Sequence, residues 1–411
     1  MITKLRWIVA HLTRRLWFRA AMFALLGIAS ALLSIVAAPL VPDTVSAGVG
    51  ADAVDKILGI LASSMLTVAI FSLTTMVSAY GAAASSATPR ATALLQTDTG
   101  AHNALGTFIG AFLFSLVGLI ALSTGLYGSS GRLLLFGVTI LVVIVVVATF
   151  IGWIDRLSHL GRMNETIDRV VVAAAEAIDD YVAAPCFGAS SARPVPAGAV
   201  AVGSPATAYV QFIDVPALAK LCHKGGGEVD VVVLPGSFVG QGDILAWGVG
   251  LAEQDRSAVL DAFVLGARRS FTQDPRFGLI VLSEIGTRAL SPAVNDPGTV
   301  IDVLAAFARL LRREPERSPV PPAENVHLPE LRPEALLEDS FAPLIRESVG
   351  QLEVQLRLQR ILAIVAGHPL FAEGARILAD DAARRGLAET THPRDRERLA
   401  EAARWAMREG R

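Results

Sequence analysis

Charge is scarce in this sequence. Asp, Glu, Lys and Arg make up 18% of its 411 residues, against about a quarter in ordinary globular domains. A formal net charge of −2 leaves no basic excess to hold a phosphate backbone, so nucleic acid is not expected as a partner. Cysteine is nearly missing: Cys186 and Cys222 are the only two, without CxxC or CxH spacing. Two free, reduced thiols are expected rather than a disulfide framework. The seven histidines form no HxH, HExxH or His/Cys cluster, so no metal site is expected. No cofactor motif is complete, and no residue is assigned a catalytic role.

Long uncharged runs take the place of charge. No Asp, Glu, Lys or Arg occurs between Arg19 and Asp43, Lys56 and Arg90, Asp98 and Arg132, or Arg132 and Asp155. Each window holds the ~20 residues that a helix needs to cross a hydrocarbon core of ~30 Å. Four transmembrane helices are therefore expected, at about 20–40, 57–80, 104–126 and 133–154. The last is rich in β-branched residues around Leu141 to Val147. In lipid an open strand leaves its backbone polar groups unsatisfied, so helix is the expectation there too. The first window follows a basic lead of about 19 residues and is longer than the roughly 7–15 of a signal-peptide core, which favours an uncleaved span.

Flanking charge gives an orientation. Lys4, Arg6, Arg14, Arg15 and Arg19 precede the first window, whereas Asp43, Asp52 and Asp55 follow it against Lys56 alone. Basic residues stay on the cytoplasmic side, so both termini are expected there. Trp7, Trp17 and Trp153 lie where interfacial anchors belong. The expected setting is a lipid bilayer, the bacterial cytoplasmic (inner) membrane, crossed several times.

The second window carries more than hydrophobicity. From Ile57 to Pro89 no charge interrupts the chain; as a helix it would reach ~50 Å and outrun the bilayer. At 100° per residue Ser63, Thr67, Ile70, Thr74, Ser78, Gly81 and Ser85 share one stripe, with Leu66, Leu73, Met76 and Val77 elsewhere. Small and hydroxylated residues let membrane helices approach closely, or they line a water-filled path. Gly106 and Gly110 in the third window form a GxxxG step, a second helix-packing signal. No span has an ionisable residue near its middle, which counts against a proton-coupled transporter. His102 stands just before the third span and is expected at the interface.

Behind the spans the pattern becomes amphipathic. Ile167, Val170, Val171, Ala174 and Ile178 recur at helical spacing. A loop rich in Pro, Gly and Ser runs from Pro185 to Pro205, and β signals follow at Tyr209–Ile213 and Glu228–Leu234. Pro235-Gly-Ser-Phe-Val-Gly-Gln-Gly-Asp-Ile-Leu245 suits a tight β-corner. Its shape is similar to half of a biotinyl or lipoyl carrier module. The lysine that such a carrier modifies is missing, so no cofactor is implied. Lys224-Gly-Gly-Gly-Glu228 has its lysine first and a strand after it, the wrong order for a phosphate loop.

Asp274-Pro275 and Asp296-Pro297 each set a capping carboxylate before a proline suited to the first helical position. Between them lie Glu284 and Arg288 at i,i+4 spacing, and a turn closed by Asn295 and Asp296. These four form a polar cluster that reads either as a well-capped helical hairpin or as a ligand site. The expected fold is mainly α. It comprises a four-helix transmembrane region over 1–155, a helical extension with a small β-rich domain over 156–250, and a helical cytoplasmic domain over 251–411 with a Pro-rich loop near 312–333.

Several of these stretches together resemble a known family. Ser85-Ser-Ala-Thr-Pro-Arg90, Leu105-Gly-Thr-Phe-Ile-Gly110, Tyr209-Val-Gln-Phe-Ile-Asp214, Pro235-Gly-Ser-Phe-Val239, Asp274-Pro-Arg-Phe-Gly278 and Ala289-Leu-Ser-Pro-Ala-Val-Asn-Asp-Pro297 are similar, in order, to the bacterial predicted membrane proteins grouped as domain of unknown function 2254. Thr88 departs from the more usual Ser before Pro-Arg. The resemblance implies a membrane protein and brings no activity, substrate or catalytic residue with it. Three functions are carried forward. The first is a homo-oligomeric channel or pore-like protein with a cytoplasmic regulatory region. The second is a non-conducting scaffold or sensor, and the third a membrane-bound enzyme using the Glu284–Asp296 cluster.

Overall fold

The computed structural model describes residues 16–36, 51–86, 88–95, 98–124, 129–159, 161–252, 255–313 and 320–407. The chain is mainly helical, with small sheets, and divides into two compact units. One runs over Ile8–Ser86 and Thr92–Glu165; the other gathers Thr166–Arg411 and the short segment Ala87–Ala91.

The first unit is built from apolar helices: α1 (Leu16–Val36), α2 (Ala51–Ser86), α3 (Pro89–Leu95, only partly in this unit), α4 (Thr99–Ser123) and α5 (Ser129–His159). Among the described residues three stretches are long and apolar enough to cross a membrane, Ala53–Ala84, Thr99–Ser123 and Gly131–Ser158. Sequence alone led us to expect four. The described part of the first window ends at Val36, and its apolar stretch, Ala20–Leu33, is shorter than the other three. At 36 residues α2 spans ~54 Å, the overlong helix that its uncharged run implies.

Helix α4 is the hub of this unit and touches α1, α2 and α5. Its Asp98 cap takes the Gly100 amide at 2.9 Å and Arg156 of α5 at 2.7 Å. Gly110 lets α1 approach backbone to backbone: a Cβ there would meet the Phe23 carbonyl oxygen at 2.7 Å, and Gly27 answers it from the α1 side. Gly106, one turn earlier, is buried. Small residues at such a crossing permit the close van der Waals contact that holds helices together without a hydrophobic effect.

The helix expected to continue from the fourth span breaks once. Gly161, at φ +85, separates α5 from α6 (Met163–Ala183). The second unit then alternates strands and helices: β1 (Ala189–Ser191), β2 (Val200–Gly203), β3 (Ala208–Ile213), α7 (Val215–Gly225), β4 (Glu228–Val231), β5 (Phe238–Val239), β6 (Ile244–Val249), α8 (Asp255–Asp261) and β7 (Phe263–Gly266). The hairpin helices α9 (Pro275–Ala289) and α10 (Pro297–Leu311) come next, then β8 (Ala323–Leu328) and helices α11 (Pro333–Glu347), α12 (Leu352–Ala366), α13 (Ala372–Glu389) and α14 (Pro393–Met407).

Five strands form one sheet in the order β1-β8-β4-β6-β2, and three form another, β5-β3-β7. Val210, Leu218, Val229, Leu245 and Val326 are fully buried in their common core. Strand β8 lies inside the stretch that reads as a Pro-rich loop. Its Val326 and Leu328 alternate with polar neighbours, and it pairs in parallel with both β1 and β4. Residues beyond 250 thus contribute β7 and β8 to the β region.

Candidate functional site

The hydroxyl stripe can be placed on α2. Leu58, Leu61, Ala62, Met65, Ala69, Ser72, Met76 and Ala83 form its buried seam. Ser63, Thr67, Thr74 and Ser78 are exposed. At 100° per residue the stripe is centred about 180° from that seam. It therefore points away from the chain's own bundle, with exposed Ile70 among its members and exposed Ile60, Phe71 and Val77 beside it. The side chain of Ser85 lies outside the described set.

Three of the stripe hydroxyls are satisfied locally. Ser63 donates to the Gly59 carbonyl at 3.1 Å, Thr67 to Ser63 at 3.0 Å and Thr74 to Ile70 at 3.0 Å. Back-bonding of this kind lets a hydroxyl sit in an apolar medium, yet each oxygen keeps acceptor capacity for water or a partner helix.

The polar cluster lies in the other unit, and its supports begin with Asp274. Its carboxylate caps α9 by accepting from the Phe277 amide at 3.2 Å, and Arg269 grips it with two bonds of 2.7 and 2.9 Å. The same guanidinium lies over the Phe277 ring, 5.2 Å from its centroid. Asp274 is only 2% exposed. Burial pushes its carboxyl up to about 6, outweighing the pull of Arg269 in the other direction. Gly236, at φ +89, packs against this pair, where a Cβ would strike the carboxylate. The Pro235-Gly-Ser-Phe and Asp274-Pro-Arg-Phe motifs are thus one interlocked structure.

Further along α9, Arg276 binds Asp339 of α11 through bonds of 2.6 and 3.0 Å. Gly286 gives room to Leu344. Glu284, whose spacing suggested Arg288 as its partner, instead pairs with Arg90 from the Ala87–Ala91 segment. Thr88 caps the start of that segment by accepting from the Ala91 amide at 3.3 Å, so a threonine serves there as a serine would.

Between α9 and α11 lies an open groove of about 830 Å³. Glu284 and Arg288 line it; Asn295 and Asp296 do not. Asn295 adopts φ +47 and accepts from Gln351 at 3.2 Å. Asp296 caps α10, taking the Thr299 amide at 3.1 Å and its hydroxyl at 2.6 Å. These donations hold its carboxyl below the ordinary value. The four predicted residues therefore split into a groove pair and a turn pair.

Two substitutions distinguish these roles for Asp296. Asp296→Asn is expected to be mild and Asp296→Ala to cost about 1 kcal/mol in chemical denaturation, because Asn caps nearly as well as Asp. Equal damage from both would instead assign a role to the charge.

Reasoning from sequence missed Arg90, Arg276 and Asp339 as partners of this region. A signal for Arg90 was present, since it is the charge that ends the long uncharged run. The groove lining has no histidine or lysine beside Ser283 to act as base. No group of His, Cys, Asp and Glu among the described residues could hold a metal ion. The charged and hydroxyl side chains of the lining offer ion pairs and hydrogen bonds.

A family model described as predicted membrane protein (DUF2254) matches residues 13–364. Uncharacterized proteins of Mycobacterium bovis and Mycobacterium tuberculosis are each 30% identical over 168 residues, covering 38% of this chain and 32% of theirs. The chain thus spans about a third of the length of the curated relatives it matches. No solved structure matches.

Proposed function

The chain belongs to this DUF2254 family of predicted membrane proteins, and we propose that it acts as a homo-oligomeric, pore-like protein whose larger unit is a cytoplasmic regulatory region. One observation carries the reading: the Ser63–Thr67–Thr74–Ser78 face of α2 is turned away from its own bundle. A stripe of hydroxyls is of use there to a neighbouring copy, or to water enclosed by several copies.

In this reading α1 is a fourth span, since its 21 residues reach ~31 Å. The protein crosses the bacterial inner membrane four times and keeps both termini in the cytoplasm. The transmembrane region covers about 1–155, and the rest of the chain is the cytoplasmic region, whose sheets take β7 and β8 from beyond residue 250.

The oligomer is tested by mass. In lipid nanodiscs the chain should run as a multiple of its 43.3 kDa, and Ser63→Leu with Thr67→Leu should shift it towards one copy. A wild-type chain that stays single in lipid would contradict the proposal.

A second reading, a non-conducting sensor, is favoured by the back-bonded hydroxyls, which need neither water nor a partner. It shares the oligomer's surface but has no flux.

A further inference from the structure

The α9–α11 groove combines charge of both signs with an orphaned buried hydroxyl. Arg276 meets Asp339 and Gly286 meets Leu344, so the two helices run in the same sense past each other. Glu338 and Asp339 therefore lie towards one end of the groove, and Arg288 and Arg346 towards the other. Asp339 is held by Arg276, whereas Glu338 and Arg346 enter no ion pair among the described residues. Glu347, beside Arg346, lines the same end. Between the ends Ser283 is 2% exposed, and its hydroxyl has no hydrogen-bond partner. Such a buried polar group costs free energy unless something satisfies it.

We infer that this groove binds a small zwitterion of short-peptide type. The ligand's ammonium lies at Glu338 and its carboxylate at Arg288 and Arg346, with a backbone amide reaching Ser283. Eight helical residues separate position 338 from 346, ~12 Å along the axis, a span that an extended tripeptide of ~10 Å covers together with the reach of the two side chains. Ile280, Ala342 and Pro343 supply apolar walls for small side chains. Glu284 lies on the same lining, so occupancy bears on its pair with Arg90. The inference deepens the regulatory reading of this unit and takes its purpose from it.

Binding can be measured without flux, so the two ideas can fail separately. The full chain in nanodiscs is titrated calorimetrically with trialanine, N-acetyl-trialanine and trialanine amide. Trialanine should bind saturably, and blocking either end should weaken binding about tenfold or more, as loss of a charged hydrogen bond does. Glu338→Gln should abolish discrimination against the acetylated peptide only. Arg346→Gln should reduce discrimination against the amide only. Both side chains are exposed, and circular dichroism checks that the variants fold. No saturable binding in the millimolar range, equal binding of the blocked peptides, or unchanged discrimination in the variants would overturn the proposal.

Discussion

Arg269→Ala is expected to lower stability by about 3–5 kcal/mol, because it strands a buried carboxylate without its partner. Total stabilities are only about 5–15 kcal/mol, so the thermal midpoint should drop by roughly ten degrees or more. The wild-type pair is bidentate, and Asp274 has almost no access to water that could replace Arg269.

The pH dependence gives this prediction a second edge. The folded-state pKa of Asp274 is raised, to about 6, whereas the unfolded carboxyl titrates near the ordinary ~3.9. Between those values the folded state holds more protons, so this group's contribution is full at the acid end and is lost as pH rises through 6. Without Arg269 the charged form is disfavoured further. The variant should therefore recover part of its loss between pH 7 and pH 5, measured by denaturant titration at each pH. Asp274→Asn in the Arg269→Ala background should restore stability at neutral pH, since Asn caps α9 without a charge. A loss below about 1 kcal/mol, with no recovery on acidification, would make the pair a surface-like ornament.

Features that depend on near neighbours in the chain were readable in advance. Asp274-Pro275 and Asp296-Pro297 predict two capped helices, and α9 and α10 begin there with those side chains on the Phe277 and Thr299 amides. The uncharged windows predict apolar helices because crossing length is a local property, and α2, α4 and α5 follow them. Strand β8 was hidden because proline and charge on either side resemble a loop, while its partners, β1 and β4, are distant in sequence. Arg90 and Glu284 are 194 residues apart, so no helical spacing could pair them. Arg288 was simply the nearest opposite charge. The α2 stripe falls between these cases. Periodicity shows that Ser63, Thr67, Thr74 and Ser78 share a face, but only packing with α4 decides where that face points.

That direction carries the functional claim, and cysteine chemistry reads it. The native thiols interfere little: Cys186 and Cys222 are buried, and burial raises both, Cys222 to about 11. Thiolate is the reactive form, so both should react slowly. Single cysteines at Ser63, Thr67, Thr74 and Ser78 would face an enclosed aqueous path if copies gather around this stripe. A cysteine at Phe71, an exposed flanking position, would face the edge of that surface, and one at Leu73 the lipid. The decisive measurement is ion flux in proteoliposomes carrying Thr67→Cys, before and after a small charged thiol reagent. The account predicts flux that falls on modification at Thr67 and is untouched in Leu73→Cys. No flux from the folded chain, or a reagent effect equal at both positions, would contradict it.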